Sequence, residues 1–373
     1  MSRSFRNLHV VSFSIPFPAN YGGVIDVFYK LKSLSEAGVK ITLHCFQYDR
    51  MPAPELDEFC EKVFYYPRKM KGAHLLGFYP FIVGSRSSEQ LIENLMKDDA
   101  PILFEGLHTC ISITDNRLKN RKKLIRSHNI EHDYYSALAK LERNPMKRLY
   151  YKTESRKLER FEPLAYNKAD AVLGISQKDT DYLKKNYENA IHVSAFHAFN
   201  KVNIPEKTED FCLYHGNLSV GENNQAALFL VGEVFEDLEE QLIIVGNNPS
   251  VQLQKIVKQH PNVELKDNLS SNQINDLIHQ AKVNILPTFQ NTGIKLKLLA
   301  ALFNGAHCLV NDPMVEGTGL EKLVDRANTP QDFKSKIKYL MNSSHSKSMT
   351  QQRQALLKPF TNQENSALIL NLI

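Results

Sequence analysis

Two lysines, Lys295 and Lys297, head the stretch "PTFQNTGIKLKLLAALFNG" (287–305), in which turn residues give way to an apolar run that contains no carboxylate. Thr292 or Asn291 can cap a helix there, and Gly293 lets the backbone approach a ligand closely. The N-terminus of such a helix adds partial positive charge to the two whole charges, so a dianion or a diphosphate would satisfy the segment. The competing reading is a pair of solvated surface lysines. Residues two apart point about 200° apart on a helix, so one lysine faces inward; Lys297, which shares a face with Ile294 and Ala301, is the expected one.

A second concentration of chemistry is "IRSHNIEHDYY", directly after an apolar run. The spacing predicts a helix that begins at His128 with Ser127 as its cap, putting His128, Asn129, Glu131 and His132 in the first two turns. A histidine and a carboxylate there could position hydroxyl groups and assist proton transfer. The same residues spell H-x-x-E-H, an inverted zinc-protease pattern, which leaves a zinc hydrolase through His128, Glu131 and His132 as an alternative needing a further ligand that nothing downstream marks out. Glu105 and His108 of "FEGLHTC" also follow a strand and read either as site residues or as a helix-start carboxylate and a surface histidine. Gly22-Gly23 of "PFPANYGG" either aims free N–H groups at a ligand or simply closes a loop; neither a dinucleotide fingerprint nor a Walker loop is present. Asp179 and Asp181 form a D-x-D that reads as helix-start acids, so no metal is expected.

The elements that must hold these groups alternate throughout: short β-branched runs and amphipathic stretches, the pattern of βαβ units and parallel sheets. Strands are expected at Leu8 to Phe13, Ile41 to Phe46, Val63 to Tyr66, Ile102 to Phe104, Lys123 to Arg126 and Ala171 to Ile175, with helices at 24–37 and 147–168. "FCLYHG", "QLIIVG", "NVEL", "VNILP" and "HCLVN" repeat the plan in the second half, separated by helices at 222–232, 249–259, 271–281 and 293–303. A polar segment with Pro205 separates the halves. The fold class expected is α/β, two Rossmann-like doubly wound domains facing a cleft. Their expected spans are 1–200 and 208–355, with 356–373 returning as a helix onto the first domain.

Composition bounds the rest. The chain has 373 residues, 42% hydrophobic and 23% charged, and no apolar run of membrane-spanning length or secretory leader, which reads as a cytoplasmic protein. Five scattered cysteines without a C-x-x-C pair read as buried free thiols. Residues 1–200 hold 30 Lys+Arg against 23 Asp+Glu and residues 201–373 hold 16 against 18, so the basic first half suits an anionic partner such as a phospholipid surface or lipid-phosphate acceptor. No nucleic-acid motif is present. The segments "FYYPRKMKGAHLLGFYPF" and "MKRLYYKTESRKLERFEPLAY" could touch a membrane surface or could be solvated faces.

The order "PFPANYGG", "SHNIE", "YHGNLS", "IIVGNN", "PTFQNTGIKLKLLAALFNG" and "NDPMVEGTGLE" resembles the family 4 retaining glycosyltransferases of GT-B fold over about residues 8–325. The resemblance implies a nucleotide-sugar donor on the second domain and a glycan or lipid-linked acceptor on the first, with no cofactor and no metal. Gly293, Lys295 and Lys297 match the family's G-[LIM]-K-x-K variant, Gly22 and Gly23 its glycine pair, and His128 its cleft histidine. It further implies donor contacts at Gly216, Asn217, Gly246, Thr292 and Glu316, and an acceptor or diphosphate loop that includes Glu105, His108 and Asn129. Where the family carries E-x7-E this chain has Thr292 and Ala300, and where it carries an Arg and then a Lys this chain has Asn217 and Glu222. The expected activity is transfer of a sugar from a nucleotide diphosphate, hexosyl and retaining by resemblance, in polysaccharide or cell-surface glycan synthesis. Its rivals are a catalytically degenerate sugar-nucleotide-binding protein, the zinc hydrolase, and a sugar-nucleotide epimerase.

Overall fold

In a computed structural model, which describes residues 6–70, 77–289, 296–344 and 347–373, the chain divides into two compact units. The first comprises residues 1–196 and 362–373, the second 197–361. Thr292, Gly293 and Lys295 lie outside the described residues.

The first unit is built on a parallel sheet of β1 (Arg6–Ser12), β2 (Val39–Gln47), β3 (Lys62–Pro67), β4 (Ile102–Glu105), β5 (Lys123–Ser127), β6 (Ala171–Gly174) and β7 (Ala190–His192) in the order 3-2-1-4-5-6-7. β4, β5 and β6 are buried along their whole length, as strands covered by helices on both faces must be. The second unit repeats the plan with β8 (Glu209–His215), β9 (Gln241–Val245), β10 (Val263–Lys266), β11 (Ala281–Leu286), β12 (His307–Val310) and β13 (Asp325–Arg326), ordered 10-9-8-11-12-13. The strands expected from the sequence fall within two residues of these bounds; β7 and β13, three and two residues long, were not expected because so short an edge strand carries little periodic signal.

Polar caps start the connecting helices. Ser88, Asn144, Ser176 and Ser250 each accept a first-turn N–H, and Ser270 with Gln273 and Thr329 with Asp332 close capping boxes. The stretch expected as a helix at 222–232 is an α-helix, Gly221–Phe229, that continues into a π-helical turn at Leu230–Val234. The chain returns to the first unit through the helix Asn362–Leu370, whose Asn362, Asn365, Ser366 and Ile369 form one buried face. There the Ser366 and Ser33 hydroxyls meet at 2.7 Å, and Asn365 Oδ1 accepts the Ser194 N–H at 3.1 Å. Among the described residues no helix is long and apolar enough to cross a membrane.

Each sheet reverses its winding once, between β1 and β4 and between β8 and β11. In doubly wound sheets these switch points open the crevices at the strands' carboxyl ends where ligands bind.

Candidate functional site

At the first switch point β4 ends in Glu105, whose side chain is wholly buried. Lys30 Nζ donates to both its oxygens, at 2.7 and 2.9 Å, and to Asp26 Oδ2 at 2.8 Å. Asp26 also takes two bonds from the Arg126 guanidinium, 2.8 and 3.1 Å, and the Phe196 N–H at 2.8 Å. Arg126 is spoken for on its other side by the carbonyls of Val193 and Ser194. Two carboxylates and two cations thus neutralise one another in the interior, the condition on which buried charge is tolerated. Burial works against the Asp26 carboxylate, and Arg126 and Lys30 outweigh it, holding its pKa far below the usual range. Glu105 is likewise lowered against its burial, by Lys30 and by His128.

His128 completes the chain: its Nε2 lies 3.1 Å from Glu105 Oε2, and its side chain is 10% exposed. An ionised carboxylate only accepts, so Nε2 carries a proton, and the neutral form of this imidazole is the tautomer with its lone pair on Nδ1. Its one side-chain hydrogen bond among the described residues is made by Nε2. This is the geometry of an oriented base. Ligand atoms of Asp26, Glu105 and His128 lie within 4.8 Å of one another, spacing that suits a cation, and the Lys30 ammonium occupies that role between the carboxylates.

The expected helix start at His128 is corrected. β5 runs through Ser127, whose hydroxyl donates to the Asn129 carbonyl, and the helix spans Glu131–Leu141 with no side-chain cap from Ile130. His128 therefore sits in the loop and turns to Glu105, whereas His132, on the helix, bonds Glu162 Oε2 at 2.9 Å. The two histidines do not share a helix face, which removes the arrangement the zinc-hydrolase alternative requires. Glu105 and His108 likewise do not form a helix-start carboxylate and surface histidine: Glu105 is interior, and Gly106, with φ +73°, turns the chain into the 3₁₀ helix Leu107–Thr114.

Around the dyad, the Phe13 ring stands edge-on to His128 at 5.6 Å and tilted to His108 at 5.7 Å. The glycine pair opens the helix Gly22–Glu36. A Cβ on Gly23 would come 2.9 Å from the Phe13 ring, so that glycine makes room for the ring; Gly22 has nothing within 4 Å. His108 is 24% exposed, and enclosure, then Arg86, His128 and Arg68, push its pKa well below the usual range. Its buried Nδ1 has no hydrogen bond and lies 3.9 Å from Glu131 Oε1. Burial pushes Glu131 up to about 8, against a hydrogen bond from Asn129 and helped by Glu162. At neutral pH it is mostly a carboxylic acid that can donate.

That shift has a stability consequence. Folded Glu131 keeps a proton that the unfolded chain releases above its ordinary value of 4.5. Stability therefore falls as pH rises from there to about 8, by up to about 1.4 kcal/mol per pH unit. Glu131→Gln should abolish this fall, with urea midpoints converging near about pH 5 and separating in the variant's favour near about pH 9.

At the second switch point β8 delivers Tyr214, His215, Gly216 and Asn217. A Cβ on Gly246, after β9, would lie 1.9 Å from the Gly216 carbonyl oxygen, and one on Gly216 would lie 3.1 Å from Asn223. Gly246 is thus required by close backbone approach between the two loops, whereas Gly216 sits against the Asn223 side chain. Asn217 Oδ1 accepts from the Ser219 N–H and hydroxyl at 3.1 and 2.7 Å, shaping the turn. Lys297, near the start of the helix Leu296–Asn304, donates to Asn223 Oδ1 at 2.9 Å and lies 5.2 Å from the centre of the Tyr214 ring. His215 is buried with Nε2 unpartnered, and burial together with Lys297 pushes its pKa down to about 3. Glu222 accepts the Thr288 hydroxyl, and Thr288 and Asn311 exchange bonds of 2.9 and 2.7 Å, fastening the end of β11. Glu316 is exposed after the short helix Asp312–Val315. Asp179 lies in the first turn of the helix Gln177–Asn186 and its N–H donates to the capping Ser176 hydroxyl, whereas Asp181 lies one turn further on and accepts from Gln177.

The sequence reading missed Asp26, Lys30 and Arg126. The available signal was an i, i+4 acid–base pair, Asp26 and Lys30, interleaved with Val27 and Leu31 on the buried face of a helix.

Solved structures define the class of fold. TarM of S. aureus matches with TM-score 0.71 at 11% identity over 99% of both chains. Sucrose-phosphate synthase from Thermosynechococcus elongatus matches at 0.67 and 14%, over 98% of this chain and 97% of that one, and the lipopolysaccharide outer core galactosyltransferase WaaB at 0.63 and 13%, over 99% of both. The fold is GT-B, with two Rossmann-like parallel-sheet domains in one chain. Among curated sequences, an uncharacterised 44.6 kDa protein in the cps region of Klebsiella pneumoniae is 28% identical over 327 residues, covering 83% of this chain and 84% of that one. No protein-family model matches the chain.

Proposed function

We propose that this chain is a glycosyltransferase that moves a sugar, with retention, from a nucleotide diphosphate onto a glycan or lipid-linked acceptor in polysaccharide synthesis. The observation that carries the reading is His128, a base fixed in one tautomer by buried Glu105 at a switch point of a fold that sugar transferases share along the whole chain. The cps-region relative supports a capsular polysaccharide as the product class. Retention and a hexosyl donor rest on the resemblance to family 4.

In this reaction the bond between the anomeric carbon and the diphosphate oxygen breaks, and the acceptor oxygen forms the new one on the same face of the sugar ring, as retention requires. Negative charge grows on the leaving diphosphate, and Lys297, with Lys295 and the backbone at Gly293, compensates it; prearranged charge of this kind is the main source of transition-state stabilisation. The acceptor hydroxyl gives up its proton at His128 Nδ1, and protonated Glu131 holds a sugar hydroxyl by donating to it. The reading needs no metal. The helix Pro145–Tyr166, with Met146 81% and Leu149 66% exposed beside Lys147, Arg148, Lys152 and Arg156, supplies a peripheral contact for an anionic membrane face.

Glu222 favours a second reading, a protein that binds sugar nucleotides without turning them over. It places a carboxylate at the end of β11, where a diphosphate would need a cation, and Thr292 and Ala300 supply no carboxylate for the donor ribose. Calorimetry against UDP-, GDP- and dTDP-sugars, run beside a donor-hydrolysis assay, separates the two: binding with turnover supports the transferase, binding alone the second reading. Lys297→Met should weaken donor binding by about ten- to a hundredfold. Undiminished binding and turnover in that variant would remove Lys297 from the site.

A further inference from the structure

Beside the His128 loop, two guanidinium groups converge on one aromatic ring. Arg68 stands 4.5 Å and Arg86 5.5 Å from the centroid of Tyr48. Arg86 is 2% exposed and donates to two backbone carbonyls, Nε to Phe13 at 3.0 Å and Nη1 to Ile82, and to the Tyr48 side chain. Arg68 is half-buried, bonds the Ser85 hydroxyl at 3.0 Å and lies 5.5 Å from the Phe81 ring. Among the described residues neither arginine forms an ion pair. The carboxyl groups in their neighbourhood are committed elsewhere: Glu154 accepts the Phe81 N–H and pairs with Lys157 at 3.1 Å, and Glu131 is held protonated.

A buried cation without a counter-charge is costly, and this pair contrasts with Lys30 and Arg126 a short way off, which are matched charge for charge. Arginine pairs supply forked donors that fit phosphate oxygens. Resting on the transferase reading, we propose that Arg68 and Arg86 bind a phosphate ester carried by the acceptor, so that the acceptor is a phosphorylated glycan, polyol or lipid. The donor's diphosphate is assigned to Lys297, in the other unit.

The test uses the full chain and titration calorimetry with inorganic phosphate, glycerol 3-phosphate, monomeric dioctanoyl phosphatidic acid, glucuronate and UDP. Arg68→Gln is the principal variant because Arg68 is half-buried, and its fold is checked by thermal melting; Arg68→Lys, which keeps charge but loses the fork, is the second. The expected result is phosphate-ester binding by the wild type, weakened at least about tenfold in Arg68→Gln, with UDP affinity unchanged. Tighter glycerol 3-phosphate identifies a soluble phosphoglycan or polyol, and tighter dioctanoyl phosphatidic acid a lipid phosphate. No phosphate binding up to about 10 mM, equal binding in the variant, preference for glucuronate, or parallel loss of UDP binding would each overturn the proposal. Loss of the phosphate site with sugar transfer intact rejects this inference alone, and phosphate binding without any donor binding rejects the transferase reading alone.

Discussion

Lys30→Met is expected to destabilise the protein by about 3–5 kcal/mol, because it leaves Glu105 without its cation and Asp26 with only Arg126 in a wholly buried network. The methionine would fill much of the same volume, so the loss is electrostatic and not a cavity effect. Denaturant unfolding of the variant measures it. The double variant Lys30→Met/Glu105→Gln should recover a substantial part of the loss, since a neutral amide no longer needs the ammonium. A single variant within about 1 kcal/mol of wild type would show that the four charges are not coupled as the geometry implies.

The complementary result is expected at His128. His128→Ala removes one hydrogen bond to Glu105, whose stronger partner Lys30 stays in place, so stability should change by only about 1 kcal/mol. Sugar transfer should fall by about 10²–10⁴-fold, the usual contribution of a positioned base. Glu105→Gln should also slow transfer, through the imidazole tautomer, but at a stability cost, because Lys30 then loses half of its counter-charge. The contrast is informative: a network that only holds the fold together would show large stability effects at both positions and no separate effect on turnover.

The architecture was legible because strands buried on both faces read as unbroken apolar runs, such as Ile102–Phe104 and Leu242–Val245, separated by helical periodicity. The strand-end rule then directed attention to Glu105, His108 and His128; the fold gathers the two histidines around Phe13 and sets Glu105 against His128. Other features depend on contacts between distant residues and leave no local trace. The sequence does not say that Arg126 reaches Asp26, 100 positions away, or that Arg68 and Arg86 share Tyr48. Ser127 misled for a physical reason: a serine before a polar run looks like a helix cap, yet its hydroxyl turns to the Asn129 carbonyl and the helix waits until Glu131. The spatial neighbours of the glycines were equally hidden: Gly23 yields space to Phe13 and Gly246 to the Gly216 carbonyl.

Under the proposed function this chain breaks the bond between a sugar and a nucleoside diphosphate. The most direct measurement is release of UDP, GDP or dTDP from the matching nucleotide sugars by purified wild type, His128→Ala and Lys297→Met. The expected result is turnover of one donor by the wild type, reduced at least about a hundredfold in both variants. Release of no nucleoside diphosphate from any donor by a folded wild type, or release that both variants sustain at the wild-type rate, would contradict it.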